Sequence, residues 1–176
     1  MRTKLLLIVA LFAALGSFLR GQEPAARIQD RLRQFQHDLA LVEKLVNQSV
    51  QLSLAPAPIQ CAESFQNVAE TLVREIRQSA GNDDEKRALQ MGDYLQAVLS
   101  RGVADNLIGA RRAAAGNPAK EPEWRSTGER TLQLIQPLAA GMAPPGSAEE
   151  RILEAAGRTI RPGREALVNI IAGKRR

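Results

Sequence analysis

The chain has 176 residues, of which 44% are hydrophobic and only 3% aromatic, with a single cysteine and a single histidine. One thiol excludes an intrachain disulfide, and one imidazole argues against the paired-histidine metal sites that helical proteins build between facing helices. The formal charge of +5 belongs to the ends, to Arg2, Lys4 and Arg20 and to Arg158, Arg161, Arg164, Lys174, Arg175 and Arg176 against Glu165. Residues 21–157 are net acidic, so the body lacks the coherent basic face that phosphate binding needs, and nucleic acid is not an expected partner.

Leu5 to Leu15 is uninterrupted apolar sequence behind two cations, and Gly16-Ser17-Phe18-Leu19 extends it. That is short for the roughly 20 residues of a membrane span and suits the roughly 7–15 residues of an export signal. Residues 1–21 therefore read as a signal peptide, with the small residues of Ala14-Leu15-Gly16 placing a cut between Gly16 and Ser17. Arg20 follows the run like a stop-transfer charge, so an uncleaved anchor is the alternative. Either way the body is expected outside the cytoplasm, periplasmic or secreted.

From Arg27 the apolar residues Ile28, Leu32, Phe35, Leu39, Val42 and Val46 recur in steps of four and three, which stacks them on one helix face. Pro56 and Pro58 should end that helix near Ala55. A second helix is expected over Ile59–Ala80, with Cys61, Phe65, Val68, Leu72 and Ile76 as its stripe, and Gly81-Asn82 as its stop. A third, capped by Asn82, Asp83 or Asp84, should reach about Ala115. Gly92, Gly102 and Gly109 lie inside it, and either admit close helix approach or mark a break. A fourth covers about Pro122–Gly141, and Pro137 should kink or shorten it. Ala143–Ser147 reads as a linker, and Ser147 with Glu150 matches a capping box for a short helix to about Ala156. Pro162-Gly163 is expected to interrupt the helix there, leaving a last turn or two over Glu165–Ala172. No stretch alternates with the period of a strand.

The expected fold is all-α. It is an antiparallel four-helix bundle, or long helical hairpins that complete a core by dimerisation through coiled-coil-like packing of Ile28 to Val46, with a short helical C-terminal appendage. Phe35, Phe65, Tyr94 and Trp124 fall in different expected helices, as a shared core would have it. The domain plan is a signal at 1–21, a helical domain over 22–142, a linker at 143–147, and short helices with a basic tail over 148–176.

The chemistry offers few candidates. His37 reads as a surface residue beside Asp38. Cys61 reads as a small buried apolar residue, with a disulfide between two chains as its functional alternative. The acidic pairs at Asp83-Asp84 and Glu149-Glu150 open helices, where amide dipoles favour them. There is no phosphate loop, dinucleotide fingerprint or nucleophile elbow, and no cofactor is expected. The tail cations Arg158, Arg161, Arg164, Lys174, Arg175 and Arg176, with Ile160, Leu167, Val168, Ile170 and Ile171, could lie on an anionic membrane or a partner. A solvated tail packed on the bundle is the alternative.

The segments CAESFQNVAETLVREIRQ (61–78) and GERTLQLIQPL (128–138) resemble a loose group of exported bacterial helical proteins of unknown function. The resemblance implies an extracytoplasmic helical bundle and no defined activity. The expected function is non-enzymatic: binding of another protein, or self-association into a homo-oligomer, through amphipathic helices of the cell envelope. A membrane-associated protein held by an uncleaved N-terminus and the basic C-terminus is the alternative.

Overall fold

The computed structural model describes residues 29, 32, 35, 36, 38–44, 46, 47, 55–115, 117, 121–139 and 143–173. The expectations for residues 1–21 (Gly16 and Ser17 included), for His37 and for Lys174, Arg175 and Arg176 lie outside these. All described regular structure is helical. The chain forms two compact units, residues 1–46 and 47–176. In the first, the described residues from 29 onward are helical.

The second unit holds α1 (Pro58–Gly81), α2 (Glu85–Ala97), a π-helical segment (Val98–Ala104), α3 (Asp105–Ala113), α4 (Glu121–Ala139) and α5 (Ala148–Ile171). Pro58 opens α1, where its missing N–H costs nothing. Asp84 caps α2 by accepting from the Arg87 amide at 3.0 Å. Ser147 caps α5 by accepting from the Glu150 amide at 3.0 Å. The return half of the expected capping box is shifted by one residue. Glu150 Oε2 accepts from the Gly146 amide, while the Ser147 amide donates to the Pro144 carbonyl at 3.1 Å.

α2, the π segment and α3 form one continuous helical rod. Its fully buried residues Leu95, Leu99, Val103 and Leu107 step by four. Four residues overshoot a 3.6-residue turn, so an α-helix would carry this row off the core. Wider i→i+5 turns bring it back. The widened turns are supported by side chains: Ser100 Oγ donates to the Gln96 carbonyl at 2.9 Å, and Asn106 Nδ2 to the Gly102 carbonyl at 2.7 Å. The glycines of this rod are places of close approach rather than breaks. Phe65 of α1 covers Gly102, where a Cβ would lie 2.5 Å from the ring, and Pro58 lies 3.2 Å from the Cβ position of Gly109. Gly92 faces Ala156 and Thr159 of α5.

The C-terminal expectation is corrected. Residues 148–171 are one 24-residue helix that passes through Pro162-Gly163, not a short helix followed by a broken appendage. Its buried residues Leu153, Ala156, Ile160, Gly163, Leu167 and Ile170 step by three and four, so Gly163 sits in phase on the core face. Proline removes one donor and crowds the turn before it. Here the Gly163 amide donates across to Gln96 Oε1 of α2 at 2.8 Å, so its N–H stays satisfied at the disturbed turn. Pro137 likewise sits inside α4, which continues to Ala139.

The core of the second unit is aliphatic, centred on Ile76, Leu95, Leu99, Leu107, Ile135, Leu138, Leu153, Ile160 and Leu167. The expectation of one core aromatic per helix fails. Trp124 is buried, Phe65 is half-buried, and Tyr94 and Phe35 are exposed. Tyr94 precedes Leu95 of the inward row and so turns outward, where its hydroxyl accepts from Gln90 Nε2 at 3.2 Å. Two buried threonines of α4 satisfy their hydroxyls within the helix, Thr127 on the Glu123 carbonyl and Thr131 on the Thr127 carbonyl. Glu75 and Arg87 form an ion pair at 3.5 Å between α1 and the start of α2, with side chains only 9% and 17% exposed.

Candidate interaction surfaces

The N-terminal helix presents its apolar stripe to solvent. Leu32, Phe35, Leu39, Val42 and Val46 are 53–59% exposed. These residues were expected either in a bundle core or in a seam between two copies, and they account for five of the seven large hydrophobic residues that the described structure leaves exposed. Scattered exposed apolar residues are ordinary, whereas a continuous row marks a surface that another element covers. The row spans 14 residues in steps of three and four, about 21 Å of helix at 1.5 Å per residue. Asp38, at the edge of the row, and Leu41, about a third of a turn away, are half-buried.

The arginines of α5 form a second surface. Arg158, Arg161 and Arg164 are exposed, and Arg158 reaches Glu154 at 3.9 Å. The apolar residues expected to join them on a membrane are committed elsewhere: Ile160, Leu167 and Ile170 are buried in the core. Ile171 is half-buried, and Val168, 43% exposed, remains outside. An amphipathic helix binds lipid by burying its apolar face, so this segment cannot insert while the second unit is folded.

Cys61 is half-buried near the start of α1, with its thiol 3.7 Å from the Ala55 carbonyl. That geometry places it under the incoming chain rather than on an open face.

An open cleft of about 480 Å³ lies between α1, α4 and the first turn of α5, lined by Glu70, Val73, Arg74, Arg77, Leu134 and Glu149 among others. Glu70 and Arg74 pair across one turn at 3.0 Å. The cleft brings together carboxylates and guanidinium groups, without a serine, cysteine or histidine among its lining residues. Among the described residues, no three of His, Cys, Asp and Glu are grouped so as to hold a metal ion, and no helix is long and apolar enough to cross a membrane.

Two features were not anticipated from the sequence. Gln96 serves as the acceptor that carries α5 through its proline. Arg111 and Arg125 lie over the Trp124 ring at 5.8 and 5.5 Å, and Arg111 also donates to the Gly173 carbonyl at 3.4 Å, so α3, α4 and the end of α5 meet at one tryptophan. Comparison of the chain with models of protein families, with curated proteins and with solved structures gave no match.

Proposed function

We propose that this chain is an exported helical protein of the cell envelope that works by binding another protein or itself, without catalysis, through its N-terminal amphipathic helix. The observation that carries this reading is the exposed row Leu32, Phe35, Leu39, Val42 and Val46. A row of this size is costly to leave in water and favourable to cover, since each buried methylene contributes about 0.8 kcal/mol. The second unit then acts as the stable body of the chain. We take its four rods, α1, α2–α3, α4 and α5, as an antiparallel four-helix bundle. The export signal motivates the location, and the resemblance of residues 61–78 and 128–138 to exported bacterial helical proteins agrees with it.

The test is capture on the immobilised mature chain from envelope extract, with light scattering of the free chain alongside. The reading expects either a captured protein or a mass above one chain, and loss of both in Leu39→Lys. A monomer that captures nothing overturns it.

A second reading rests on the exposed arginines of α5. Arg158, Arg161 and Arg164, continued in sequence by Lys174, Arg175 and Arg176, would hold the chain against an anionic membrane, with an uncleaved N-terminus as its anchor. Sedimentation with vesicles containing phosphatidylserine, lost at high salt and absent with neutral lipid, would support it. Mass spectrometry showing a native N-terminus at Ser17 would remove the anchor.

A further inference from the structure

We infer that the second unit meets an anionic phospholipid surface end-on, with Arg112, Arg125 and the tail from Lys174 against the headgroups. The docking face is the end where α3, α4 and α5 meet. This inference rests on the anionic-membrane reading above and moves its contact from the side of α5 to the end of the unit. Three observations carry it.

The first is convergence. α3 ends at Ala113 with Arg111 and Arg112 in its last turn, α4 begins at Glu121, and α5 ends at Ile171. Arg111 and Arg125 lie over the one Trp124 ring, and Arg111 Nη2 donates to the Gly173 carbonyl at 3.4 Å. One layer deeper, a Cβ at Gly128 of α4 would touch Ile171 of α5 and Leu107 of α3. Gly173 closes α5 with φ 75°. Lys174, Arg175 and Arg176 follow it in the sequence, so three more cations start one bond beyond the carbonyl that Arg111 holds.

The second is charge balance. Among the described residues Arg125 pairs with Glu121 at 2.7 Å, while Arg111 and Arg112 form no ion pair. Glu121 and Glu123 are the carboxylates at the start of α4. The carbonyl ends of α3 and α5, each equivalent to about half a negative charge, offset only part of what remains of six cations. The side of α5 has no such surplus. Glu154 and Glu165 stand exposed among Arg158, Arg161 and Arg164, and Arg158 reaches Glu154 at 3.9 Å.

The third is reach. With the end of the unit against the headgroups, Arg164, Arg161 and Arg158 stand back from Gly173 by about 14, 18 and 22 Å along α5 at 1.5 Å per residue. Attraction to the surface fades within a Debye length, about 10 Å in 0.1 M salt. End-on contact thus brings the unbalanced cations inside that distance and leaves the interleaved ones outside it. Trp124 is buried and inserts nothing, so the attraction is electrostatic. Nucleic acid is held along a basic groove that follows its backbone, whereas one blunt helical end suits a plane of charge.

The experiment sediments the mature chain with vesicles of mixed phosphatidylcholine and phosphatidylserine, and with phosphatidylcholine alone, in low and high salt. The inference expects binding that needs phosphatidylserine and is lost in high salt. Arg112→Gln should weaken it about fivefold, the worth of one cation at the surface. Arg161→Gln removes the same charge farther back and should weaken it less than about twofold. Both arginines are exposed, so an unchanged urea midpoint separates lost docking from lost folding. An equal or larger loss in Arg161→Gln overturns the end-on face and leaves the membrane reading standing. No binding that depends on phosphatidylserine overturns both. Tighter binding to a short DNA duplex, weakened by the same Arg112→Gln, overturns lipid as the partner.

Discussion

Replacing Gly163 by alanine sets two opposing effects against each other in the interior of α5. Alanine is favoured over glycine in a helix interior by about 1 kcal/mol, so propensity alone predicts a more stable protein. Packing predicts the reverse. A Cβ at Gly163 would lie 2.7 Å from Gln96 Oε1 and 2.8 Å from Leu99 Cβ. Carbon atoms pack best at about 3.5–4.0 Å, and Leu99 Cβ is fixed to its backbone, so no rotamer relieves the contact. Either the α2–α3 rod and α5 move apart, or Gln96 withdraws from the Gly163 amide. Overpacking costs about 1–3 kcal/mol, and a weakened hydrogen bond about 0.5–1.5 kcal/mol more. After the propensity gain, Gly163→Ala should destabilise the protein by about 2 kcal/mol. With a urea slope of about 1–3 kcal/mol per molar, the midpoint should fall by about 1 M. A midpoint equal to or above that of the wild type would refute the close approach of α5 to Leu99.

The same substitution at Gly81 should act in the opposite direction. This glycine ends α1 with nothing within 4 Å of its Cβ position, so Gly81→Ala should raise stability by about 0.5–1 kcal/mol in the same titration. Gln96→Leu removes the acceptor of the Gly163 amide; it should cost about 1–3 kcal/mol, and a double-mutant cycle with Gly163→Ala should show strong coupling. Glu75→Leu breaks the Glu75–Arg87 pair and should cost about 3 kcal/mol, with much of the loss recovered on adding Arg87→Met; an additive loss would argue against the pair. Ser147→Ala removes the cap of α5 and should lower stability by about 1 kcal/mol.

How far the residues alone revealed the structure depended on whether a helix was in regular phase. Val68, Leu72 and Ile76 keep α-helical spacing, and all three are buried as expected. The row Leu95, Leu99, Val103 and Leu107 was legible as core, but the π segment was not, because Val68, Leu72 and Ile76 also step by four in a helix that stays α. Pro162-Gly163 misled because local breakers were weighed without the neighbouring helix. Gly163 stands in phase with Ile160 and Leu167, and the compensating acceptor is 67 residues away in sequence. The stripe from Leu32 to Val46 indicated the helix, and its exposure speaks against a place in the core of the single chain. Periodicity records which face is apolar, and says nothing of whether the covering surface belongs to the same chain. Arg158, Arg161 and Arg164 stand exposed on a continuous helix whose apolar side packs inward, where an interrupted helix was expected.

Hydrogen exchange of the mature chain as its concentration is raised tests the central claim most directly, because it reports on residues 29–47 themselves. Ten apolar side chains per pair, at about 1 kcal/mol each, exceed the low end of the roughly 4–15 kcal/mol cost of association by about 6 kcal/mol, so pairing should set in at tens of micromolar. Between about 1 and 100 µM, amides of residues 29–47 should slow tenfold or more, equivalent to about 1.4 kcal/mol, while those of α1 to α5 remain constant and Leu39→Lys abolishes the change. Exchange at residues 29–47 that stays fast at every concentration, in a chain that also captures no other protein, would contradict the account.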